Sequence, residues 1–264
     1  MGKATAASPA AFCATSFKMV KLALLVGVCG GVPIGKDNKE ILLGDVIISK
    51  GVMQYDLGRQ FSDGFRRKID VQHSLGRPNA RISSLLAKLE TQIHERKLQE
   101  QITHYLTQLP DPVFYPGAHE DKLFPADYQH KHHRLQDCTT CAACIEPTDP
   151  ICRQALVQTC TQISCDDTHL VQRFRTNERY RPSIHIGLIA SGDSVIKSGR
   201  HRDAISSDTG AIGFEMEGAE VWDTIPCVFI KGVCDYADSH KNKLWQAYAA
   251  ATAAACAKAF AQQW

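Results

Sequence analysis

Apolar positions along this chain fall into short unbroken runs separated by one long periodic stretch. The unbroken runs predict strands buried on both faces. One spans residues 21–28 and closes on Cys29-Gly30-Gly31-Val32-Pro33; others span 41–49 and 183–190. A fourth runs from Pro226 through Val228-Phe229-Ile230 and ends in an acid, Asp235. The run Gly213-Phe214-Glu215-Met216-Glu217-Gly218-Ala219 reads as a strand end turning into a helix. Between 79 and 109 the period changes: Ile82, Leu85, Leu86, Leu89 and Ile93 recur at three and four, predicting one amphipathic helix capped by Asn79 after Pro78. Residues 3–17 are alanine-rich and read as a helix weakened by Pro9; 245–264 read as a terminal helix. Strands alternating with helical segments predict an α/β fold.

The pattern dissolves between about 110 and 181. Prolines, four histidines between 119 and 133, and six cysteines between 138 and 165 replace it. Such a stretch is too long for a plain loop in a compact domain. It is expected to be an insertion with structure of its own in a single domain covering 1–264.

Length and charge narrow the function classes. A chain of 264 residues can bury a full core. A formal net charge of +2 makes no electrostatic case for nucleic acid. The longest apolar run near the start, 22–28, is far short of the ~20 residues a membrane span needs, and no secretory signal is visible. Eleven cysteines in that setting point to reduced thiols or a metal in a cytoplasmic protein.

Two kinds of candidate chemistry stand out. Glu217 and Asp235 are carried to strand ends, where α/β sheets place their ligands. One carboxylate can hold a pair of sugar hydroxyls and the other can protonate a leaving group. Each also has a structural alternative: Glu217 as an acid at a helix N-terminus, Asp235 as a turn cap or a partner of Lys231. The second candidate is a structural zinc on Cys138, Cys141, Cys144 and Cys152, because Cys-x2-Cys is a usual ligand hairpin. The spacing matches no standard finger, so free thiols or disulfides stay open.

Five motifs occur in order: Val26-Gly27-Val28-Cys29-Gly30-Gly31, Leu43-Gly44-Asp45, Ser191-Gly192-Asp193, the 213–219 run and Cys234-Asp235-Tyr236-Ala237-Asp238. Together they resemble the nucleoside phosphorylase and nucleosidase superfamily, most closely its fungal purine/uridine phosphorylase-like branch. The resemblance implies a three-layer α/β/α sandwich around a mixed, partly barrel-like central sheet and scission of a nucleoside N-glycosidic bond. It implies Asp235 as the acid that protonates the base, Glu217 as the ribose-binding carboxylate, and Met216 beneath the sugar. Phe214, Val195 and Ile196 would wall the base, Gly27 would belong to an anion-cradling turn, and Ser191 and Asp193 would be structural. No cofactor is required, and relatives are often homo-oligomers.

The chain also departs from that pattern. Leu25 and Val28 stand where phosphorylases place an arginine and a serine, which favours hydrolysis over phosphorolysis unless Arg59, Arg66 or Arg67 substitutes. The opening strands of the family pattern, and the glutamate on them that activates water, are expected to be missing. His240 is a candidate replacement base. A catalytically impaired nucleoside-binding module, or an accessory protein of a fungal metabolic pathway, is the alternative to an enzyme.

Overall fold

A computed structural model describes residues 3–35, 38–68, 78–109, 113–134, 136–173 and 181–264. Helix α1 (Lys3–Ser16), with Pro9 inside it, precedes strands β1 (Ala23–Gly31) and β2 (Val46–Gln54) and a hairpin of β3 (Gly58–Phe61) and β4 (Gly64–Arg67). Helices α2 (Ala80–Leu89), α3 (Gln92–Thr107) and the short α4 (Thr139–Ala142) follow. The chain then runs through β5 (Ile184–Ser191), α5 (Gly199–Thr209), β6 (Ala211–Glu215), α6 (Gly218–Trp222), β7 (Cys227–Asp235) and α7 (Gln246–Ala261).

The mixed α/β character is as expected, and the sheet, expected to be only partly barrel-like, is fully closed. It closes into a barrel in the order β1-β6-β5-β2-β7. Closure follows from β7, which pairs parallel with β1 and antiparallel with β2, leaving no free edge. One apolar cluster fills the barrel and its strand ends, including Ile47, Ile189, Phe214 and Phe229. A second joins the barrel's outer face (Val46, Ile48, Val228, Ile230) to α2, α3 and α7.

Two expected elements have different bounds for clear reasons. The run 41–49 is not one strand: Asp45 accepts from the amide of Leu42 at 2.8 Å, and Gly44 sits at φ +91°, a left-handed conformation that suits glycine. The strand starts only beyond that turn, at Val46. The expected helix 79–109 is two helices. Asn79 caps the first as anticipated, accepting from the amide of Ile82 at 2.9 Å. Its stripe Ile82, Leu85, Leu86 and Leu89 is buried. Thr91 is then extended (ψ 140°) and starts a new helix, so Ile93 falls off the stripe and is 74% exposed, while Leu98 and Ile102 face the core.

Segment 113–173 contains little regular structure. Its own apolar cluster is small, built on Cys141, Ala155 and Ile163. The ends of the stretch expected as an insertion, 110–112 and 174–180, lie outside the described residues.

Candidate active site

A cavity of about 410 Å³ opens where the C-terminal ends of all five barrel strands meet. Val28, Cys29 and Gly30 come from β1, Tyr55 from beyond β2, and residues 194–197 from beyond β5. Phe214, Glu215, Met216 and Glu217 come from the β6–α6 junction, Cys234 and Asp235 from β7, and Lys241, Asn242 and Lys243 from the loop after it. Glu217 and Asp235 therefore face one space, together with Met216, Phe214, Val195 and Ile196.

A β-bulge aims Asp235. Cys29 pairs with Val233, but Gly30 pairs with Asp235, so Cys234 is skipped in the register. A Cβ on Gly30 would stand 2.9 Å from Asp235 Oδ1, so a larger residue there would push the carboxylate aside. The amide of Ala237 donates to Oδ1 at 2.9 Å. Ala237 takes φ +51°, a left-handed conformation, to make this turn. The cation beside Asp235 is Lys241, at 3.2 Å from Oδ2, and not Lys231 as one sequence alternative had it.

Lys231 instead lies inside the barrel between two acids, 3.2 Å from Glu215 Oε2 and 3.2 Å from Glu217 Oε2. Glu215 also accepts from the amides of Glu217 (3.1 Å) and Gly218 (3.0 Å), fixing the start of α6. Burial pushes the Glu217 carboxyl up, but the Lys231 charge and hydrogen bond outweigh it and hold the group below its ordinary range. For Lys231, burial is outweighed in turn by the two carboxylates, and its ammonium is held above the usual value. Sequence reasoning missed this arrangement. Its signal was a lone lysine within the otherwise apolar run 227–234. Around it, Ser191 Oγ accepts from the amide of Ala219 at 3.0 Å, a structural role. Cys29 also lines the cavity; burial pushes its thiol well above the ordinary range, leaving it un-ionised.

Three expectations need correction. Gly27 does not line the cavity: β1 continues to Gly31, so 27–31 is paired strand and no amide cradle for an anion, and Gly27 faces the Lys231 side chain. Neither Arg59, Arg66 nor Arg67 reaches the site. Arg66 and Arg67 pair with Asp63 and Asp208, and among the described residues the cavity's cations are Lys197, Lys241 and Lys243. His240 turns away from the cavity toward thiols of segment 113–173.

Among the described residues, two four-residue sets have ligand atoms within 4.8 Å of one another, and seven of the eight side chains come from that segment. One is His132, Cys138, Cys141 and Cys152. It contains three of the four expected cysteines, but His132 takes the place given to Cys144, whose thiol donates to the carbonyls of Thr140 and Pro150. The other is His130, Cys160, Cys165 and His240. All eleven cysteines are free thiols.

The fold is shared with solved nucleosidases. The chain superposes over its whole length on 77% of the 5'-methylthioadenosine/S-adenosylhomocysteine nucleosidase of Helicobacter pylori (TM-score 0.55, 15% identity). It likewise superposes on 77% of the futalosine hydrolase of the same organism (TM-score 0.54, 17% identity). For the Streptococcus pneumoniae (S. pneumoniae) nucleosidase, 98% of this chain covers 76% of that one (TM-score 0.54, 17% identity). In sequence it is 31% identical over 251 residues to a nucleotide-binding leucine-rich repeat (NLR)-like protein of Hyaloscypha variabilis. That match takes in 92% of this chain and 22% of the relative's length. The family model described as the phosphorylase superfamily matches residues 1–262, and the chain belongs to that superfamily.

Proposed function

We propose that this chain cleaves the N-glycosidic bond of a purine-type nucleoside, with water favoured over phosphate as the acceptor. The observation that carries this reading is the shared cavity of Glu217 and Asp235, whose volume suits a small-molecule ligand. Glu217, oriented by Lys231 through Oε2, accepts hydrogen bonds from the two ribose hydroxyls. Met216 lies under the sugar, and Phe214, Val195 and Ile196 wall the base. Asp235 donates its proton to the base as the C1′–N bond breaks; water adds to C1′, and its proton returns the carboxyl to its starting state. A positioned acid contributes roughly 10²–10⁴-fold.

Hydrolysis is favoured because no arginine lines the cavity among the described residues and the β1 end is ladder-paired. The hydrolytic names of the solved neighbours, methylthioadenosine nucleosidase and futalosine hydrolase, agree with that, and the adenosine in the first name agrees with a purine base. The chemistry requires no cofactor. A structural zinc belongs on His132, Cys138, Cys141 and Cys152, in the Cys/His-rich insertion, since the thiols of Cys141 and Cys152 each lie 3.5 Å from His132 Nδ1. Free thiols throughout fit a cytoplasmic setting.

A second reading is a nucleoside-binding module without turnover. It is favoured by the curated relative, an NLR-like protein in which the matched part is a minor share of the length. One assay separates the two. Purified chain is incubated with inosine, adenosine, methylthioadenosine and uridine, with and without phosphate, and free base is followed. Release of purine base without phosphate supports the first reading. Phosphate-dependent release overturns the hydrolytic preference; binding without release, abolished by Glu217→Ala, establishes the module.

A further inference from the structure

His130, Cys160, Cys165 and His240 belong neither to the glycosidic cavity nor to any standard finger spacing, yet the fold gathers them. The donor tautomers follow from their surroundings. His130 Nε2 lies 2.9 Å from the carbonyl of Gln158, and His240 Nε2 lies 3.0 Å from the carbonyl of Tyr128. A carbonyl only accepts, so both Nε2 atoms carry the proton and both Nδ1 lone pairs point inward. This is the arrangement by which metal-bound histidines are usually oriented. The two Nδ1 atoms stand 3.3 Å apart, an acceptor facing an acceptor.

The spacings match one ion at the centre. Tetrahedral zinc with Zn–N of about 2.0–2.1 Å and Zn–S of about 2.3 Å puts two nitrogens about 3.3 Å apart and a nitrogen and a sulfur about 3.6 Å apart. The corresponding distances here are 3.3 Å for the nitrogens, 3.5 and 3.7 Å from Cys160 Sγ, and 3.7 and 3.8 Å from Cys165 Sγ. His130 is 4% exposed, and four protein ligands leave no open position, as in a structural site.

We propose that these four side chains bind a zinc ion that fastens segment 113–173 to the loop that follows Asp235 and carries Lys241. His240 sits on that loop directly before Lys241, while the other three ligands come from the segment. The same junction holds a hydrogen bond from Tyr236 to Asp121 at 2.6 Å and a smaller cavity of about 260 Å³. Asp235, His130, Cys160 and His240 all line that cavity. The segment's apolar cluster is too small to order it alone, and metal binding supplies folding free energy where a core does not. The ion therefore sets where the loop, and with it Lys241, stands relative to Asp235 at the end of β7. This holds whether or not the cavity cleaves a nucleoside.

The test counts zinc in the full chain, prepared reduced and with zinc supplied, by elemental mass spectrometry. Cys160→Ser/Cys165→Ser is expected to carry one zinc fewer per chain than wild type, and His240→Ala likewise, while His240→Cys, which restores a ligand, keeps the full number. Hydrogen exchange on the wild-type chain keeps the proposal testable if a variant does not fold. Stripping zinc with a chelator is expected to speed exchange in residues 236–242 at least about tenfold and leave the amides of β2 unchanged. Zinc content equal to wild type in the Cys160→Ser/Cys165→Ser variant overturns the proposal. So does a Cys160–Cys165 disulfide in the reduced wild-type preparation, or exchange at 236–242 that ignores the chelator.

Discussion

Replacing Lys231 with methionine removes the cation held between Glu215 and Glu217 while roughly preserving side-chain length. The lysine side chain is 4% exposed and that of Glu215 is 1% exposed, so the lost partner leaves carboxylates in a barrel with little water. Breaking such a buried pair from one side costs about 3–5 kcal/mol. Glu217 is 31% exposed, and water screens its share, so the lower end, about 3 kcal/mol, is expected. For a domain of this size that is a fall in Tm of roughly 6–12 °C. The pH dependence is more diagnostic. The folded-state value of Glu217 is depressed, so its contribution is fully present above the ordinary value of 4.5 and lost as pH falls through the folded value. Lys231 is raised, so its contribution is fully present below its ordinary 10.5 and lost as pH rises through the folded value. The gap between wild type and Lys231→Met should therefore be widest near neutral pH and narrow toward both extremes. Urea unfolding followed by tryptophan fluorescence, at about pH 7 and again below about pH 4, measures it. A loss under about 1 kcal/mol near pH 7, or an equal gap at both pH values, refutes the reasoning.

Asp235→Asn should lower the turnover of a purine nucleoside by about 10²–10⁴-fold with an unchanged urea midpoint; equal loss of stability would make Asp235 a structural residue instead. Gly232→Ala places a Cβ 1.9 Å from the Ala249 carbonyl oxygen, so α7 must shift off β7; calorimetry should show at least about 2 kcal/mol of destabilisation. Asn79→Ala removes the cap on the Ile82 amide and should cost about 1 kcal/mol in urea unfolding, with zinc content and nucleoside binding untouched.

Much of the scaffold could be read from local pattern, because β1, β5 and β7 are apolar on both faces and α2 has a clean apolar stripe. The rest depends on partners distant in sequence. Barrel closure requires β7 to pair with both β1 and β2, and no property of 227–235 alone specifies that. A glycine-rich run ending in Pro33 looks like a turn at Gly27, whereas ladder bonds carry the strand on to Gly31. Glu217 and Asp235 stand out in the sequence because they end buried runs, and both line one cavity; Lys231 reads in the sequence only as a partner for Asp235. Cys-x2-Cys spacing suggested Cys144, but its thiol turns to the carbonyls of Thr140 and Pro150 and His132 stands in the set instead. His240 joins the other set from 110 positions beyond His130, a separation no spacing rule covers.

The shared cavity of Glu217 and Asp235 is tested most directly by a crystal structure of the chain with methylthioadenosine. The ribose hydroxyls should lie within hydrogen-bonding distance of Glu217, with the purine edge against Asp235 and its face along Phe214. A nucleoside bound at another surface, or one in this cavity that touches neither acid, would contradict the account.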